Sequence, residues 1–187
     1  MVCRKDGRPA GGAMALEIER KFLVRDGAWR DQVLRSERIV DGLLATSKGR
    51  KVRVRLYADR ATIAVKTRKK GRVRFEFEYA IPPSDAEHLL KSECGRSVLV
   101  KTRHYVPDGD HTWEVDEYEA PLDGIILAEV ELKSENQALR LPPWVGVEVT
   151  SDPAFQKTRL FAERALQRFG PKMAKSPPRA KTRHKVP

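Results

Sequence analysis

RVRFEFEY, residues 72–79 of the chain, alternates charged and apolar side chains with a period of two. Because successive side chains of a β-strand point to opposite faces of a sheet, such a segment has one apolar and one charged face. The same alternation recurs at residues 17–22, 51–56, 62–66, 101–103, 114–116 and 129–133. The sequence therefore predicts seven or eight strands, each with an apolar face and a heavily charged face.

Three segments carry apolar residues at helical spacing and are predicted to be helices, at residues 27–36, 83–93 and 153–169. The second opens with Pro83 and Ser84, and the third is followed by Gly170 and Pro171, which are typical of helix starts and helix ends. Because the strands follow one another through short turns, the predicted fold class is antiparallel α+β. The helices are expected to cover the apolar face of the sheet.

The net charge of +11 belongs largely to the two ends of the chain. Residues 171–187 hold six Lys or Arg residues and no acidic residue, and residues 1–13 carry +2, which leaves +3 for residues 14–170. Both ends are poor in apolar residues, so we predict a disordered N-terminal extension, a folded domain over residues 14–170 and a disordered basic tail. The tail is expected to favour solubility, with weak attraction to polyanions as the alternative.

The sequence lacks the features of several other classes of protein. No uncharged run approaches the ~18 residues of a membrane span, and no apolar stretch follows the basic residues near the start as in a secretory signal. The two cysteines, Cys3 and Cys94, form no metal-binding spacing, and the common nucleotide-binding, zinc-protease and serine-hydrolase motifs are missing. We therefore expect a cytoplasmic protein with no membrane partner.

The charged strand faces carry pairs of like sign at positions i and i+2, which are Glu17/Glu19, Arg53/Arg55, Glu76/Glu78, Glu114/Asp116 and Glu129/Glu131. One interpretation is that these faces simply meet water, as in many antiparallel sheets. Like charges at this spacing give a solvated face no advantage, whereas mixed signs would be slightly favourable. The other interpretation is that the sheet curls until its charged faces line one cavity.

A cavity lined in this way has a specific chemistry. Buried charges persist only if they are hydrated, paired with one another or matched by a ligand. Lys and Arg side chains suit phosphate oxygens, and carboxylates without His or Cys suit a hard cation such as Mg²⁺ or Mn²⁺. The closed arrangement therefore predicts a site for a metal ion and a polyphosphate.

The segment Glu17-Ile-Glu-Arg-Lys21 matches an E-x-E-x-K signature near the start of the predicted domain. It is followed in order by VRVRL (52–56), TIAVK (62–66), RFEFEY (74–79), KTRHYV (101–106), WEVDEY (113–118), AEVELK (128–133) and VEVTSD (147–152). This series resembles the CYTH family, also called triphosphate tunnel metalloenzymes, over residues 14–168. Within that family the chain is most similar to the compact bacterial inorganic triphosphatases.

The resemblance implies an eight-stranded antiparallel β-barrel, a triphosphate tunnel, with helices packed outside. It implies that one or two Mg²⁺ or Mn²⁺ ions are bound by Glu17, Glu19, Asp116, Glu129 and Glu131. It implies that the triphosphate is bound by Lys21, Arg53, Arg55, Lys66, Arg74, Lys101 and Arg103. The residues it implies for catalysis are Lys21, Glu76, Glu78 and Arg103.

Two positions depart from the pattern of this family. Related triphosphatases often have a tyrosine that acts with the lysine of the signature, and this chain has Leu43 there. The family's Tyr-x-Asn near the last strand is Phe155-Gln156-Lys157 in this chain, which we expect to alter only the docking of the final helix.

The resemblance implies metal-dependent hydrolysis of inorganic triphosphate (tripolyphosphate) or of an organic triphosphate. Adenylate cyclase and thiamine triphosphatase activities are alternatives on the same fold. A non-catalytic module that binds polyphosphate or RNA is a further alternative, although the aromatic residues typical of single-strand binding are missing. The expected partner is a triphosphate-bearing small molecule, with nucleic acid confined to weak binding by the tail. A monomer and a homodimer both remain open.

Overall fold

The computed structural model describes residues 15–71, 73–120 and 122–162. Nine strands are present in this part of the chain: β1 (Ala15–Val24), β2 (Arg35–Ser47), β3 (Arg50–Leu56), β4 (Ala61–Lys66), β5 (Val73–Ile81), β6 (Val98–Asp108), β7 (His111–Tyr118), β8 (Ile126–Glu131) and β9 (Val145–Glu148). One α-helix, α1 (Pro83–Ser92), lies between β5 and β6, and residues 157–162 are also helical. Short 3-10 helices occupy Arg30–Gln32 and Pro153–Phe155.

The first eight strands close into an antiparallel barrel. Their order is β5-β4-β3-β2-β6-β7-β8-β1, and β1 also pairs with β5, which joins the two edges. Closure leaves β1 to β8 without a free edge. β9 pairs with the end of β1 and adds a ninth strand to the sheet. The predicted eight-stranded antiparallel barrel is confirmed.

The strand register places the charged faces inside the barrel. Residues directly opposite each other on paired strands share a face, and Glu17 lies opposite Arg74, Lys21 opposite Glu129 and Arg103 opposite Asp116. The intervening apolar residues therefore point outward, where other segments of the chain bury many of them, while Leu16, Val65 and Phe75 stay exposed.

Two apolar clusters cover the outside of the barrel. One contains Trp113 and Val115 of β7, which pack with Trp29 and Trp144 from the segments around the barrel. The other contains Val54 of β3 and is covered by Ala86 and Leu90 of α1 and by Cys94 just after it. The predicted helix at residues 83–93 is therefore present and packs outside.

A third apolar cluster lies within the barrel at one end. Leu99 and Leu127 lie opposite Asp41 and Asp116, which are on the inner face of the sheet, so they also point inward. They pack against Leu160 and Phe161 of the last helical turns that the structure describes. The predicted helix at 153–169 is thus a 3-10 helix followed by an α-helical segment that fills part of the barrel end, and its continuation past residue 162 lies outside the described residues.

The predicted helix at residues 27–36 is wrong. This segment forms only the short 3-10 helix at Arg30–Gln32, and the chain then enters β2, which the alternation did not indicate. The pattern fails because β2 has the apolar Ile39 on its inner face and the charged Arg38 on its outer face. Trp29, in the loop that connects β1 and β2, is buried and packs against the ring of His104.

None of the helices in the described part of the chain is long and apolar enough to cross a membrane. The predicted disordered segments, residues 1–13 and 171–187, lie outside the described residues, so the domain boundaries stay predictions.

Gly42 in β2 allows α1 to approach the barrel closely. A Cβ atom at this position would lie 2.5 Å from Cys94 Sγ and 2.6 Å from Leu90 Cδ2, which is shorter than van der Waals contact. We expect Gly42→Ala to lower the free energy of unfolding by about 1–3 kcal/mol, because overpacking forces neighbours out of position. Urea unfolding measures the change. The double variant Gly42→Ala/Cys94→Ala should recover part of it, and full stability of the single variant would contradict the close packing.

Candidate active site

Two cavities, of about 960 and 450 Å³, share part of their lining inside the barrel. On β3, Lys51 lines the smaller cavity, Arg55 lines the larger one and Arg53 lines both. Since β3 spans the barrel, the cavities extend toward opposite ends. They share Glu19, Arg53, Lys66 and Lys157, so we describe them together as one tunnel.

The structure brings twelve of the fourteen predicted site residues to the tunnel wall, which are Glu17, Glu19, Lys21, Arg53, Arg55, Lys66, Arg74, Glu76, Glu78, Arg103, Glu129 and Glu131. The other two, Lys101 and Asp116, line neither cavity and have 0% exposed surface. Both side chains are buried on the inner face of the barrel, where the Asp116 carboxylate accepts hydrogen bonds from Arg103.

A carboxylate cluster centred on Glu17 lies where the barrel closes. Lys66 Nζ donates to Glu17 Oε1 and to Glu76 Oε2, each at 2.8 Å, and Arg74 Nε donates to Glu17 Oε2 at 2.5 Å. Burial alone would raise the pKa of Glu17, but the charges of Lys66 and Arg74 hold it well below its ordinary value. Glu17 is therefore ionised at neutral pH.

Glu129 is the centre of a second cluster. Lys21 Nζ lies 2.8 Å from Glu129 Oε1, while Arg103 Nη2 and Lys157 Nζ each donate to Glu129 Oε2 at 3.3 Å. Burial opposes ionisation of this carboxyl, but Lys157, Lys21 and Arg103 hold its pKa well below the ordinary value. In the same way, Glu129 and Glu19 raise the pKa of Lys21 in spite of its burial.

A third cluster of buried charges holds Arg103 and Arg55 in position on the inner face of the barrel. Arg103 binds Asp116 through two hydrogen bonds, of 2.7 and 2.8 Å, and Lys101 donates to the same carboxylate. Asp41 accepts from Arg55 Nε at 2.9 Å and lies 3.7 Å from Lys101 Nζ. Burial would raise the pKa of Asp41, but Arg55 and the other cations hold it well below the ordinary value.

Sequence reasoning missed two members of these clusters. Asp41 lies in β2, which the alternation did not reveal, although its spacing of two from Ile39 was the available signal. Lys157 was expected to affect only the docking of the last helix, but it lines both cavities and contacts Glu129. A single lysine in a helical segment gives no sign that it will point into a barrel.

Several buried polar atoms of the wall have no hydrogen-bond partner. Among the described residues they include Arg53 Nε, Glu76 Oε1 and Glu129 Oε1. The contact of Glu129 Oε1 with Lys21 is thus an ion pair without hydrogen-bond geometry. Because buried polar groups are nearly always satisfied, unsatisfied acceptors and a donor on one wall indicate a place for a polar ligand.

The carboxylates of the wall fit a hard divalent cation. Within the described ranges, no three His, Cys, Asp or Glu side chains lie close enough together to form a ready-made metal site. However, Glu19 of β1 lies directly opposite Glu131 of β8, which brings two carboxylates together on the tunnel face, and Arg74 Nη2 lies 3.4 Å from Glu19 Oε1. Oxygen donors without His or Cys, and the unsatisfied Glu129 Oε1, suit Mg²⁺ or Mn²⁺.

A closed eight-stranded barrel with inward carboxylates and basic side chains is the arrangement that the signature at residues 17–21 implies. The family model described as the CYTH domain matches residues 15–166. This chain belongs to the CYTH family. An inorganic triphosphatase from Acetivibrio thermocellus is 35% identical over 147 residues, which cover 79% of this chain and 94% of that protein. An inorganic triphosphatase from Nitrosomonas europaea is 35% identical over 149 residues, which cover 77% and 95%.

Solved structures agree with this assignment to the CYTH family. A crystal structure of an inorganic triphosphatase matches with a TM-score of 0.57 and 31% identity, over 77% of this chain and 96% of that one. A structure from Bacillus halodurans whose name refers to an adenylate cyclase matches with a TM-score of 0.53 and 15% identity, over 65% and 83%. The second similarity shows the fold alone.

The buried pairing of Asp41 makes a testable contribution to stability. We expect Asp41→Asn to lower the free energy of unfolding by about 3 kcal/mol or more, because it leaves Arg55 and Lys101 buried with less compensating charge. Asp59→Asn is a matched control, since the Asp59 side chain is 82% exposed, and its effect should stay below about 0.5 kcal/mol. Urea unfolding at pH 7 measures both.

The same variant tests the direction of the Asp41 pKa. A carboxyl with a lowered folded-state pKa stabilises the fold above its unfolded-state pKa, and this contribution is lost as the pH falls. The difference in free energy of unfolding between wild type and Asp41→Asn should therefore be constant from pH 7 to pH 5 and shrink below about pH 4. A difference that grows on acidification would show that Asp41 is protonated in the folded protein.

Proposed function

We propose that the chain is a metal-dependent triphosphatase that hydrolyses the terminal phosphate of inorganic triphosphate. The supporting observation is the tunnel wall itself, where basic side chains and carboxylates alternate and buried polar atoms of both kinds lack partners. The two inorganic triphosphatases that share 35% identity with the chain support the same substrate.

In this proposal the basic residues of the wall hold the triphosphate. Arg53 spans both cavities and has an unsatisfied Nε, so its guanidinium is placed to contact phosphate oxygens in either direction. The other proposed substrate contacts are Lys21, Arg55, Lys66, Arg74 and Arg103. Lys101 has no exposed surface, so we assign it to the support of Arg103 through Asp116 rather than to the substrate itself.

The proposed residues for binding the divalent ion are Glu17, Glu19, Glu129 and Glu131, with Asp116 in support behind Arg103. A bound Mg²⁺ or Mn²⁺ ion supplies positive charge to the phosphate oxygens and polarises the scissile bond. Cations already neutralise Glu17 and Glu129, which explains how the wall stays folded with so many carboxylates.

The chain's own residues perform the remaining steps. Glu76 and Glu78 are proposed to orient the attacking water in line with the terminal phosphorus. Glu78 lines the larger cavity, and Glu76 Oε1 has no hydrogen-bond donor, its contact with Arg53 Nη2 being an ion pair at 3.5 Å. Lys21 and Arg103 are proposed to stabilise negative charge as the bond breaks, from positions fixed by Glu129 and Asp116.

An organic triphosphate is the second candidate substrate, and the wide end of the larger cavity favours it. Tyr57 and Tyr105 line this end, with the guanidinium carbons of Arg60 and Arg35 at 3.7 and 3.4 Å from their ring centroids. Aromatic rings can stack on a base or a thiazole. In this structure each ring already stacks on an arginine, so inorganic triphosphate remains the first choice.

The deciding experiment is phosphate release from tripolyphosphate, ATP and thiamine triphosphate, with Mg²⁺, with Mn²⁺ and with a chelator. Rapid release from tripolyphosphate that the chelator abolishes is the expected result, and it would show that Leu43 is tolerated. Turnover of ATP or thiamine triphosphate alone would favour the second candidate. Binding of all three without turnover or metal dependence would contradict the proposal and favour a binding module.

Glu129→Gln tests the proposed metal site. We expect kcat with tripolyphosphate to fall by about 100-fold or more, because the carboxylate that fixes Lys21 and contributes an acceptor for the ion is lost. Glu87→Gln on the outer surface of α1 is the matched control and should leave kcat unchanged. Thermal unfolding of both variants separates loss of activity from loss of fold. Full activity of folded Glu129→Gln would remove Glu129 from the site.

Arg53→Ala tests the proposed phosphate contact. We expect KM for tripolyphosphate to rise by about tenfold or more, because charge-assisted hydrogen bonds worth about 1.5–3 kcal/mol are removed. Arg140→Ala is a suitable control, since its side chain is 83% exposed and pairs with Asp108. Unchanged KM and kcat in Arg53→Ala would place this side chain away from the bound substrate.

A further inference from the structure

The two cavities of the tunnel differ strongly in charge. Nine carboxylate residues and eight basic residues line the larger cavity. Eight basic residues line the smaller one as well, but Glu19 is the one carboxylate among its described lining residues. The smaller cavity is therefore strongly positive, and it lies at the end of the barrel formed by the turns after β2 and β4.

Three of the basic side chains in the smaller cavity stand apart from the clusters described above. Lys51 comes from β3, and Arg68 and Lys69 come from the turn between β4 and β5. None of the three makes an ion pair or a side-chain hydrogen bond with any residue that the structure describes. In contrast, Lys21, Lys66 and Arg74 are each bound to a carboxylate.

Lys51 also lies directly opposite Lys66 across β3 and β4, with both side chains on the tunnel face. Lys66 is already paired with Glu17 and Glu76, but Lys51 has no carboxylate of its own among the described residues, so a neighbouring anion would offset its repulsion with Lys66. Burial, followed by the positive charges of Arg74 and Lys157, lowers the pKa of Lys51 to about 8. The arrangement is thus unfavourable without a counter-ion, as is typical of a site whose ligand supplies the charge.

The chemistry of the cavity selects the kind of anion. Ammonium and guanidinium groups surround it, and Ser151 also lines it, whereas the Thr150 hydroxyl already donates to Glu148 Oε1. With Glu19 alone as a carboxylate, the cavity does not suit a metal ion, so the anion must be held by side chains. Clustered Lys and Arg donors with hydroxyls are suited to tetrahedral phosphate oxygens.

We propose that Lys51, Arg68 and Lys69 form a second phosphate site, which binds a phosphate group without a metal ion at this end of the tunnel. The ligand is a phosphoryl anion, either free orthophosphate or a further unit of a condensed phosphate whose other end lies in the tunnel. The second source rests on the proposed function of the tunnel, whereas the first does not.

The experiment is isothermal titration in the presence of a chelator, with orthophosphate, pyrophosphate and a polyphosphate of about 15 units as probes. The test variant is Lys51→Gln/Lys69→Gln. The control is Lys91→Gln/Lys133→Gln, which removes the same charge from exposed positions outside the cavity. Wild type and control should bind with equal affinity, and the test variant about tenfold or more weakly, because charge-assisted hydrogen bonds are lost.

The pattern across probes identifies the source of the anion. If the test variant binds orthophosphate more weakly than the wild type, the site takes the free ion. If it binds only the long polyphosphate more weakly, the site takes part of an extended chain. Equal binding by the wild type and the test variant to all probes, or no binding without metal, would overturn the proposal. Displacement of polyphosphate by an equal charge of single-stranded RNA would also overturn it, in favour of a general polyanion surface.

Two further measurements separate this site from the proposed catalysis. The test variant should unfold at a temperature equal to or above that of the wild type, because removal of Lys51 relieves its repulsion with Lys66. The control variant Lys91→Gln/Lys133→Gln should keep the kcat of the wild type with tripolyphosphate and Mg²⁺, since both residues lie outside the tunnel. A wild type without turnover would refute the triphosphatase proposal and leave the metal-free binding result intact.

Discussion

Pairing of β1 with β5 is the contact on which the rest of the structure depends. It closes the sheet, and closure turns every charged strand face toward a shared interior where water is limited. Carboxylates in that interior must then meet cations, since an unpaired buried ion costs several kcal/mol. The clusters around Glu17, Glu129 and Asp41 are the result, and they hold the side chains of the wall in fixed positions.

This neutralisation is incomplete, and the incompleteness is informative. Cations satisfy Glu17 on both oxygens, whereas Glu129 and Glu76 each keep one oxygen without a hydrogen bond. A wall that is mostly neutralised can fold without a ligand, and its remaining polar atoms without hydrogen bonds are available to a ligand. The same residues therefore stabilise the fold and provide the groups that bind a ligand.

The barrel was predicted through the resemblance of the ordered motifs to the CYTH family. Most of the wall was predicted because strict alternation at residues such as 72–79 directly reports which side chains share a face. It failed at β2, where Ile39 lies inside and Arg38 outside, so the segment has no regular alternation. Asp41 was missed with its strand. Lys157 was missed for a different reason, since its position depends on how the last helix meets the barrel, a tertiary contact that local sequence does not specify.

The apolar cluster at one end of the barrel affects where anions are attracted within the lumen. Leu160 and Phe161 fill the half of that end near β6 and β8, so the opening left there is narrow and bordered by the basic side chains of β3 and β4. The opposite end is wide and nearly balanced in charge. An anion that moves along the lumen thus meets a rising positive potential toward the narrow end. This uneven charge attracts anions toward the narrow end of the lumen and raises their local concentration there.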